Sequence, residues 1–127
     1  MVISLLPAAG GCDRTPPPAV TTTAPVAVTV GDLGEKGAAV FTAKCARCHG
    51  DTGQGFVGPP VVGEFADLKK YGDGQSLLTY MKANMPFDAP GSLTAEEYSY
   101  VISYILLENR FATAEAAFDE LNRIRLE

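Results

Sequence analysis

The sequence Cys45-Ala46-Arg47-Cys48-His49 decides how the rest of the chain is interpreted. Its two cysteines are three positions apart, and the histidine follows the second cysteine directly. One turn of helix would place both thiols on the same side of the chain. This histidine is also the only one in the sequence. The pattern therefore predicts a site at which two thiols and one imidazole meet.

This spacing is the pattern to which c-type haem is attached. Each thiol can add to one of two neighbouring vinyl groups of a porphyrin, and His49 can reach the iron from the proximal face. A redox dithiol would need a strand-to-helix junction, whereas the flanking sequence has a helical pattern. A zinc site would need further ligands, and the third cysteine, Cys12, lies across a long proline-rich segment. The motif thus predicts one haem c bound covalently through Cys45 and Cys48.

From Gly34 to Leu107 the chain resembles the class I cytochromes c, the small single-haem electron carriers. The resemblance rests on four motifs in the family's order: a first helix with Lys36-Gly37 and Val40-Phe41, the proximal loop Gly58-Pro59-Pro60-Val61, the distal Met85-Pro86, and a last core helix from Glu97 to Leu106. It implies an all-α cytochrome c fold of about four to five helices wrapped around one haem c. The chain also resembles a bacterial lipoprotein member of this family.

Length and charge restrict the architecture and the partners. A chain of 127 residues allows one domain, for which covalent haem would supply a large apolar centre. The formal net charge of −5 argues against a nucleic-acid partner, because phosphate binding needs clustered lysine and arginine. Docking to a basic surface of a redox protein is compatible with this charge.

Residues 1–12 have features of an export leader. The apolar run 1–9 is too short to cross a bilayer but has the length of a signal-peptide core, although no basic residue precedes it. The sequence Gly10-Gly11-Cys12 resembles the bacterial lipobox, at which a leader is cleaved and the cysteine is lipidated. The alternative is a disordered tail with a stray thiol. We predict an extracytoplasmic protein on the periplasmic side, anchored to the membrane by lipid at Cys12.

Residues 13–30 form a predicted linker, because proline and threonine favour an extended, poorly packing chain. Within it, the alternating pattern of residues 26–30 also fits a short strand or a stretch lying on the domain surface. Residues 31–127 are the predicted cytochrome c domain. Its last part, 110–127, is predicted to be a helical extension capped by Thr113, which either packs on the domain or presents an amphipathic face to a larger complex.

The helices of the domain are predicted from caps and periodicity. Asp32 is the predicted N-cap of the first helix. A short helix is expected over Glu64–Tyr71, and a clearer one begins at Asp73 or Gly74. Thr94 and Glu97 form a predicted capping box. After it, an apolar stripe should pack on the first helix: Tyr98, Val101, Ile102, Ile105 and Leu106.

The second axial ligand is expected in the region of two methionines. Met81 falls within the helical pattern of Leu77 and Leu78, where methionine usually fills a core. Met85 precedes Pro86, which disfavours helical geometry at Met85 and favours a loop. Met85 is therefore the predicted sulfur ligand of the iron, with His49 as the other axial ligand.

The resemblance adds two further expectations about the site. The carbonyl of Pro59 should accept the free N–H of His49 and orient the ring, with Pro60 as the alternative acceptor. Tyr71 or Tyr80 could reach a haem propionate with its hydroxyl, although family members often carry a tryptophan in this region and this chain has none.

These features predict a mono-haem carrier of single electrons in an extracytoplasmic respiratory or photosynthetic chain, and not an enzyme. Imidazole and thioether ligation raises the reduction potential and leaves no open position for substrate chemistry. The expected donor is a quinol-oxidising complex or another upstream protein, and the expected acceptor is a terminal oxidase, a reductase or a photosynthetic centre. The alternatives are a fixed haem subunit of a membrane redox complex, or a haem enzyme or gas sensor with a labile Met85.

Overall fold

The computed structural model describes residues 10–11, 15–19 and 26–127. In these residues the chain forms four α-helices and two short 3-10 helices, and it contains no β-strand. The helices are α1 (Val30–Lys44), α2 (Ala46–His49), α3 (Gly74–Asn84) and α4 (Ala95–Glu108), with 3-10 helices at Lys69–Tyr71 and Phe118–Arg123. The predicted all-α class is confirmed. The apolar run 1–9, Cys12 and linker residues 13–14 and 20–25 lie outside the described residues.

The centre of the fold is the crossing of α1 and α4. At Gly37 the backbone of α1 approaches the Tyr100 carbonyl of α4 so closely that no side chain fits between them. One turn later Phe41 is buried, and its ring lies 5.2 Å from the ring of Tyr104 on α4. The predicted apolar stripe of α4 is buried throughout, from Tyr98 to Leu106. The packing of α1 against α4 thus fixes the two ends of the chain segment that lies between them.

Helix starts agree with the predictions for α3 and α4 and differ for α1. Asp73 caps α3 by accepting the Ser76 amide, and Thr94 and Glu97 form the expected capping box of α4. The prediction that Asp32 is the N-cap of α1 is wrong. Thr29 is the N-cap, and Asp32 is the third helical residue of a complete capping box with it. The helix therefore begins at Val30, which is fully buried and could not lie in a solvated linker.

The C-terminal extension packs on the domain, but the predicted α-helix capped by Thr113 does not form. A 3-10 helix at Phe118–Arg123 is followed by extended backbone, with Leu121 and Leu126 buried. Ile124 accepts a hydrogen bond from the Gly74 amide at 2.9 Å, and the Leu126 amide donates to Gly72 at 3.1 Å. Backbone pairing with the start of α3 replaces the helical hydrogen bonds that an α-helix would have made.

The segment between α2 and α3 is mostly irregular. The helix predicted over Glu64–Tyr71 is reduced to the 3-10 turn at Lys69–Tyr71. In this stretch Leu68 is the only buried apolar side chain, so a longer helix would have no apolar face to pack. Across the described ranges, no helix combines the length and the apolar composition of a bilayer-spanning segment.

Candidate haem site

A cavity of about 460 Å³ lies between α2, α3, α4 and the loops that join them. Its walls are mostly apolar. All five residues predicted to contact haem line it: Cys45, Cys48, His49, Pro59 and Met85. Leu77, Val101 and Ile105 supply apolar surface between them. The fold therefore brings together groups that are up to forty positions apart in the sequence.

The two cysteines lie at the junction of α1 and α2. Cys45 ends α1, and its carbonyl accepts the amide of His49 at 2.9 Å, which closes the turn that carries the motif. Both cysteines are half-buried. Burial, with a smaller contribution from Cys48, raises the pKa of the Cys45 thiol to about 11. Reactive redox dithiols need a lowered thiol pKa, so this environment does not favour that alternative.

The zinc alternative lacks further ligands in the part of the chain that the structure describes. No group of three or more histidine, cysteine, aspartate or glutamate side chains comes together there. Structural zinc sites use four such ligands. The described surroundings of Cys45 and Cys48 therefore offer no zinc-binding set.

The proximal loop folds over the end of α2. The Gly58 amide donates to the Cys48 carbonyl at 2.6 Å, and the Gly55 amide donates to the His49 carbonyl at 2.7 Å. These bonds place the Pro59 carbonyl oxygen 2.7 Å from Nδ1 of His49. When Nδ1 carries the proton it donates to that oxygen, and Nε2 remains as the free ring nitrogen. The acceptor in this geometry is Pro59 and not Pro60.

The far end of the same loop is held by Asn109, which the sequence analysis did not identify. Its Oδ1 accepts the Gly63 amide at 3.0 Å, and its Nδ2 donates to the Val61 carbonyl at 2.8 Å and to the Ile105 carbonyl at 2.9 Å. Asparagine at a helix end is a recognisable C-terminal signal. No local pattern reveals, however, that its amide also binds a loop almost fifty positions earlier.

Met85 ends α3 and lies in the wall of the cavity. It has extended backbone angles, φ −122° and ψ 149°, and its amide still donates to the Met81 carbonyl at 2.8 Å. Met81 also lines the cavity but lies within α3 and is 7% exposed. The Met85 carbonyl accepts the hydroxyl of Tyr98 at 2.6 Å, a contact that the sequence did not predict.

An exposed ion pair connects the cysteine motif to residues 85–91, the distal segment, which begins with Met85. The guanidinium of Arg47, between the two cysteines, hydrogen-bonds the carboxylate of Asp88. This bond, with the positive charge of Arg47, holds the pKa of the Asp88 carboxyl below its usual value. Both side chains are largely exposed, so solvent screens the interaction.

Two tyrosines form part of the cavity wall. The rings of Tyr71 and Tyr80 lie 4.7 Å apart, and both residues line the cavity. Burial, together with the Tyr80 hydroxyl, raises the pKa of Tyr71 to about 12. The Tyr71 phenol is therefore a neutral donor at neutral pH. Contact of either hydroxyl with a propionate stays a prediction.

The chemistry of this donor set fits haem c. Two thiols are available for covalent attachment, and an imidazole and a thioether are the axial ligands common in electron-transfer cytochromes. Mostly apolar walls between them suit the face of a porphyrin. Among the residues that line this cavity, His49 offers an imidazole, and Met81 and Met85 each offer a thioether.

The chain matches a family model over residues 32–105, more than half of its length. That family is described as cytochrome c oxidase, cbb3-type, subunit III. Two thiosulfate dehydrogenases are similar to part of this chain. The protein from Psychrobacter arcticus is 31% identical over 83 residues, and that from Stutzerimonas stutzeri is 32% identical over 80 residues. Each match covers 55% of this chain, which spans only 24% and 25% of these relatives.

Two solved structures have a similar fold. The sulfane dehydrogenase SoxCD from Paracoccus pantotrophus matches with a TM-score of 0.62 and 18% identity, over 80% of this chain and 59% of that one. Cytochrome cL from Hyphomicrobium denitrificans matches with a TM-score of 0.50 and 22% identity, over 61% of this chain and 48% of that one. At these identities the likeness concerns the fold, and it confirms the predicted cytochrome c fold.

Proposed function

Because the chain belongs to the cytochrome c family described as cytochrome c oxidase, cbb3-type, subunit III, we propose that it binds one haem c and carries single electrons. The observation that carries this proposal is the common cavity. Two thiols, one imidazole and two thioethers, those of Met81 and Met85, line the same mostly apolar space. When bound, haem supplies an iron that alternates between the ferric and ferrous states.

Different residues would attach the haem, bind its iron and orient the His49 ring. Cys45 and Cys48 would form the two thioether bonds, and His49 and Met85 would fill the axial positions. The Pro59 carbonyl orients the His49 ring and makes the ligating nitrogen more basic. A thioether favours the ferrous state and raises the reduction potential. With both axial positions filled, we propose that the chain transfers electrons and does not act as an enzyme.

We further propose that the protein is a class I mono-haem member, exported and attached to the membrane by lipid at Cys12. The proposal rests on the lipobox-like sequence at 10–12 and on the linker that follows it. At about 3.1 Å per residue in the polyproline form, a linker of this length lets the domain reach partners tens of ångströms from the membrane. Mass spectrometry of the protein from membranes would detect the acylated cysteine, and an unmodified Cys12 would contradict the anchor.

The proposed partners are redox proteins. A quinol-oxidising complex or another donor would reduce the protein, and a terminal oxidase, a reductase or a photosynthetic centre would oxidise it. A second candidate donor is an enzyme that oxidises a reduced sulfur compound. It is favoured by the similarity to proteins named thiosulfate dehydrogenase, although the chain spans about a quarter of their length.

These donors can be separated by reduction kinetics. The ferric protein is mixed with thiosulfate alone, and then with a thiosulfate-oxidising enzyme and thiosulfate together. Reduction only with the enzyme present supports the sulfur donor. Direct reduction by thiosulfate at a catalytic rate would instead contradict the proposal that the chain is not an enzyme. Co-purification with a membrane complex would favour the fixed-subunit alternative.

An optical spectrum of the purified protein tests the central proposal. We expect low-spin bands in both oxidation states, the weak red charge-transfer band of sulfur bound to ferric iron, and no change when carbon monoxide is added to the ferrous protein. A high-spin ferric spectrum or ready binding of carbon monoxide would indicate an open iron. That outcome would favour the enzyme or gas-sensor alternative.

A further inference from the structure

Helix α4 contacts both of the segments that carry the proposed axial ligands. We infer that Tyr98 and Asn109 are positioning residues, which hold the distal and proximal segments against one face of this helix. The inference rests on the proposed ligation of the iron by His49 and Met85. It assigns a role in site geometry to two side chains that do not themselves bind the metal.

The distal contact is made by a buried side chain. Tyr98 is 3% exposed, and its hydroxyl donates to the Met85 carbonyl at 2.6 Å. The other hydrogen bond to that carbonyl comes from the Gly91 amide at 3.4 Å, which is long. Without the Tyr98 hydroxyl the carbonyl would keep only this weak contact. The tyrosine therefore supplies the shorter of the two hydrogen bonds that hold the Met85 carbonyl in place.

The proximal contact has two parts. Oδ1 of Asn109 accepts the Gly63 amide and Nδ2 donates to the Val61 carbonyl. Both the oxygen and the nitrogen of the side-chain amide therefore bind the loop. The same loop carries Pro59, whose carbonyl oxygen lies 2.7 Å from Nδ1 of His49. Displacement of the loop at Val61 would move this acceptor, because only Pro60 separates the two residues.

The two positioning residues lie on the same face of the helix. They are eleven positions apart, which is close to three turns at 3.6 residues per turn. Val101 and Ile105, between them, line the cavity from that face. At about 1.5 Å per residue the two contacts are roughly 16 Å apart along the axis. One rigid helix thus sets the distance between the distal and the proximal segment.

The distal contact is tested with Tyr98→Phe, which removes only the hydroxyl. Tyr104→Phe is the matched control, since this tyrosine is on the same helix but packs its ring against Phe41. In the ferric holoprotein, urea titrations would follow the sulfur-to-iron band and the helical circular dichroism together. We expect Tyr98→Phe to lose the band at a lower urea concentration than it loses its helices. Tyr104→Phe should lose both at the same urea concentration, and we expect the same of the wild type.

The inference is overturned if the band and the helices of Tyr98→Phe disappear together, whether or not both shift from the wild-type concentration. A joint shift would mean that Tyr98 contributes to general stability and does not position Met85. A separate loss of the band in Tyr104→Phe would also contradict the inference, because that hydroxyl does not contact the distal segment.

The proximal contact is tested with Asn109→Leu, which keeps the approximate volume and removes the amide. Exchange of the Gly63 amide hydrogen, relative to amides within α4, is measured in the holoprotein. We expect about tenfold faster exchange, the upper range for the loss of one hydrogen bond. Asn122→Leu, at an exposed position of the C-terminal 3-10 helix, should leave the Gly63 rate unchanged. Equal Gly63 rates in Asn109→Leu and the wild type would overturn the proximal part.

These experiments also separate failure of the inference from failure of the proposed function. A wild-type holoprotein without the sulfur-to-iron band would contradict ligation by Met85, and the role of Tyr98 with it. The Gly63 measurement does not depend on the iron ligand, so it decides the role of Asn109 in either case.

Discussion

Gly37 on α1 lies so close to the Tyr100 carbonyl of α4 that a Cβ atom at position 37 would overlap the carbonyl oxygen. The same Cβ would lie 2.6 Å from the Cβ of Tyr104. One of these neighbours is backbone and the other is the first side-chain atom, so neither can move aside easily. The crossing of the two helices therefore requires glycine at position 37.

We expect Gly37→Ala to reduce the free energy of unfolding by about 1 to 3 kcal/mol, the usual cost of overpacking a core. Urea denaturation of the holoprotein, followed by circular dichroism, measures the change. Ala39→Leu adds more volume on the exposed side of the same helix and should change the free energy by no more than about 0.5 kcal/mol. Equal stability of Gly37→Ala and the wild type would show that the helices can separate without cost.

The assignment of the sulfur ligand is tested by two matched substitutions. Met85→Leu should leave haem attached, lower the reduction potential and allow carbon monoxide to bind the ferrous protein. Met81→Leu removes the other thioether of the cavity at nearly constant volume, so it should keep the wild-type spectrum and cost less than about 1.5 kcal/mol. If Met81→Leu is the variant that loses the sulfur-to-iron band, Met85 is not the ligand.

The C-terminus of α4 carries a backbone conformation that favours glycine. Arg110 follows the C-cap with φ 58°, and the amides of Arg110 and Phe111 donate to the carbonyls of Leu107 and Leu106. This is the Schellman arrangement, in which glycine normally occupies the position of Arg110. We expect Arg110→Gly to raise the free energy of unfolding by about 0.5 to 1 kcal/mol. Glycine removes the strain of the left-handed conformation, and this gain exceeds the entropy that glycine adds to the unfolded chain.

Thermal unfolding would measure this gain. Arg110→Val provides the opposite test, since a β-branched residue tolerates positive φ poorly and should destabilise the protein. If Arg110→Gly destabilises the protein, the arginine side chain adds more to the free energy of unfolding than its left-handed backbone conformation removes.

Stability should fall in acid partly because of the cap of α3. The Ser76 amide donates to the Asp73 carboxylate at 2.8 Å and, with the nearby charge of Arg125, holds the Asp73 pKa below its usual value of 3.8. A carboxyl with a lowered pKa in the folded state stabilises the fold above its unfolded pKa. That contribution is lost as the pH falls through the folded pKa, so the unfolding free energy should decline below about pH 4.

Asp73→Asn keeps an acceptor for the cap but cannot be protonated in this range. Urea midpoints measured from pH 7 to pH 3 should therefore decline less steeply for this variant than for the wild type. Parallel curves for the two proteins would contradict a role for Asp73 in the acid response.

Much of the site could be predicted because its determinants are local in sequence. The spacing of Cys45, Cys48 and His49 follows from one helical turn, and the break before Pro86 separates Met85 from the helix that holds Met81. The cap at Thr94 likewise depends only on residues three positions apart. In each case the neighbouring sequence alone determines the geometry.

The features that the sequence did not reveal depend on contacts between distant segments. Tyr98 was predicted only as part of an apolar stripe, because nothing in a helical pattern indicates what a tyrosine hydroxyl will bind. Likewise, nothing in the sequence around Asn109 indicates which groups its side-chain amide will bind. At Thr29 the signal was local but was assigned to Asp32, since the usual capping box has glutamate or glutamine at its third helical position. In the C-terminal segment, backbone pairing with Gly72 and Gly74 overrides a helical spacing of apolar residues.

The crossing at Gly37 has a consequence for the topology of the chain. The cysteine motif, the proximal loop and Met85 all lie between Gly37 and Tyr100 in the sequence, so these parts of the site belong to one long loop closed at its base by α1 and α4. The entropic cost of closing a loop grows only slowly with its length, by about 0.6 kcal/mol for each doubling. The exposed stretch after Gly63 should therefore accept inserted residues at little cost, whereas a change that opens the base would separate the segments that line the cavity.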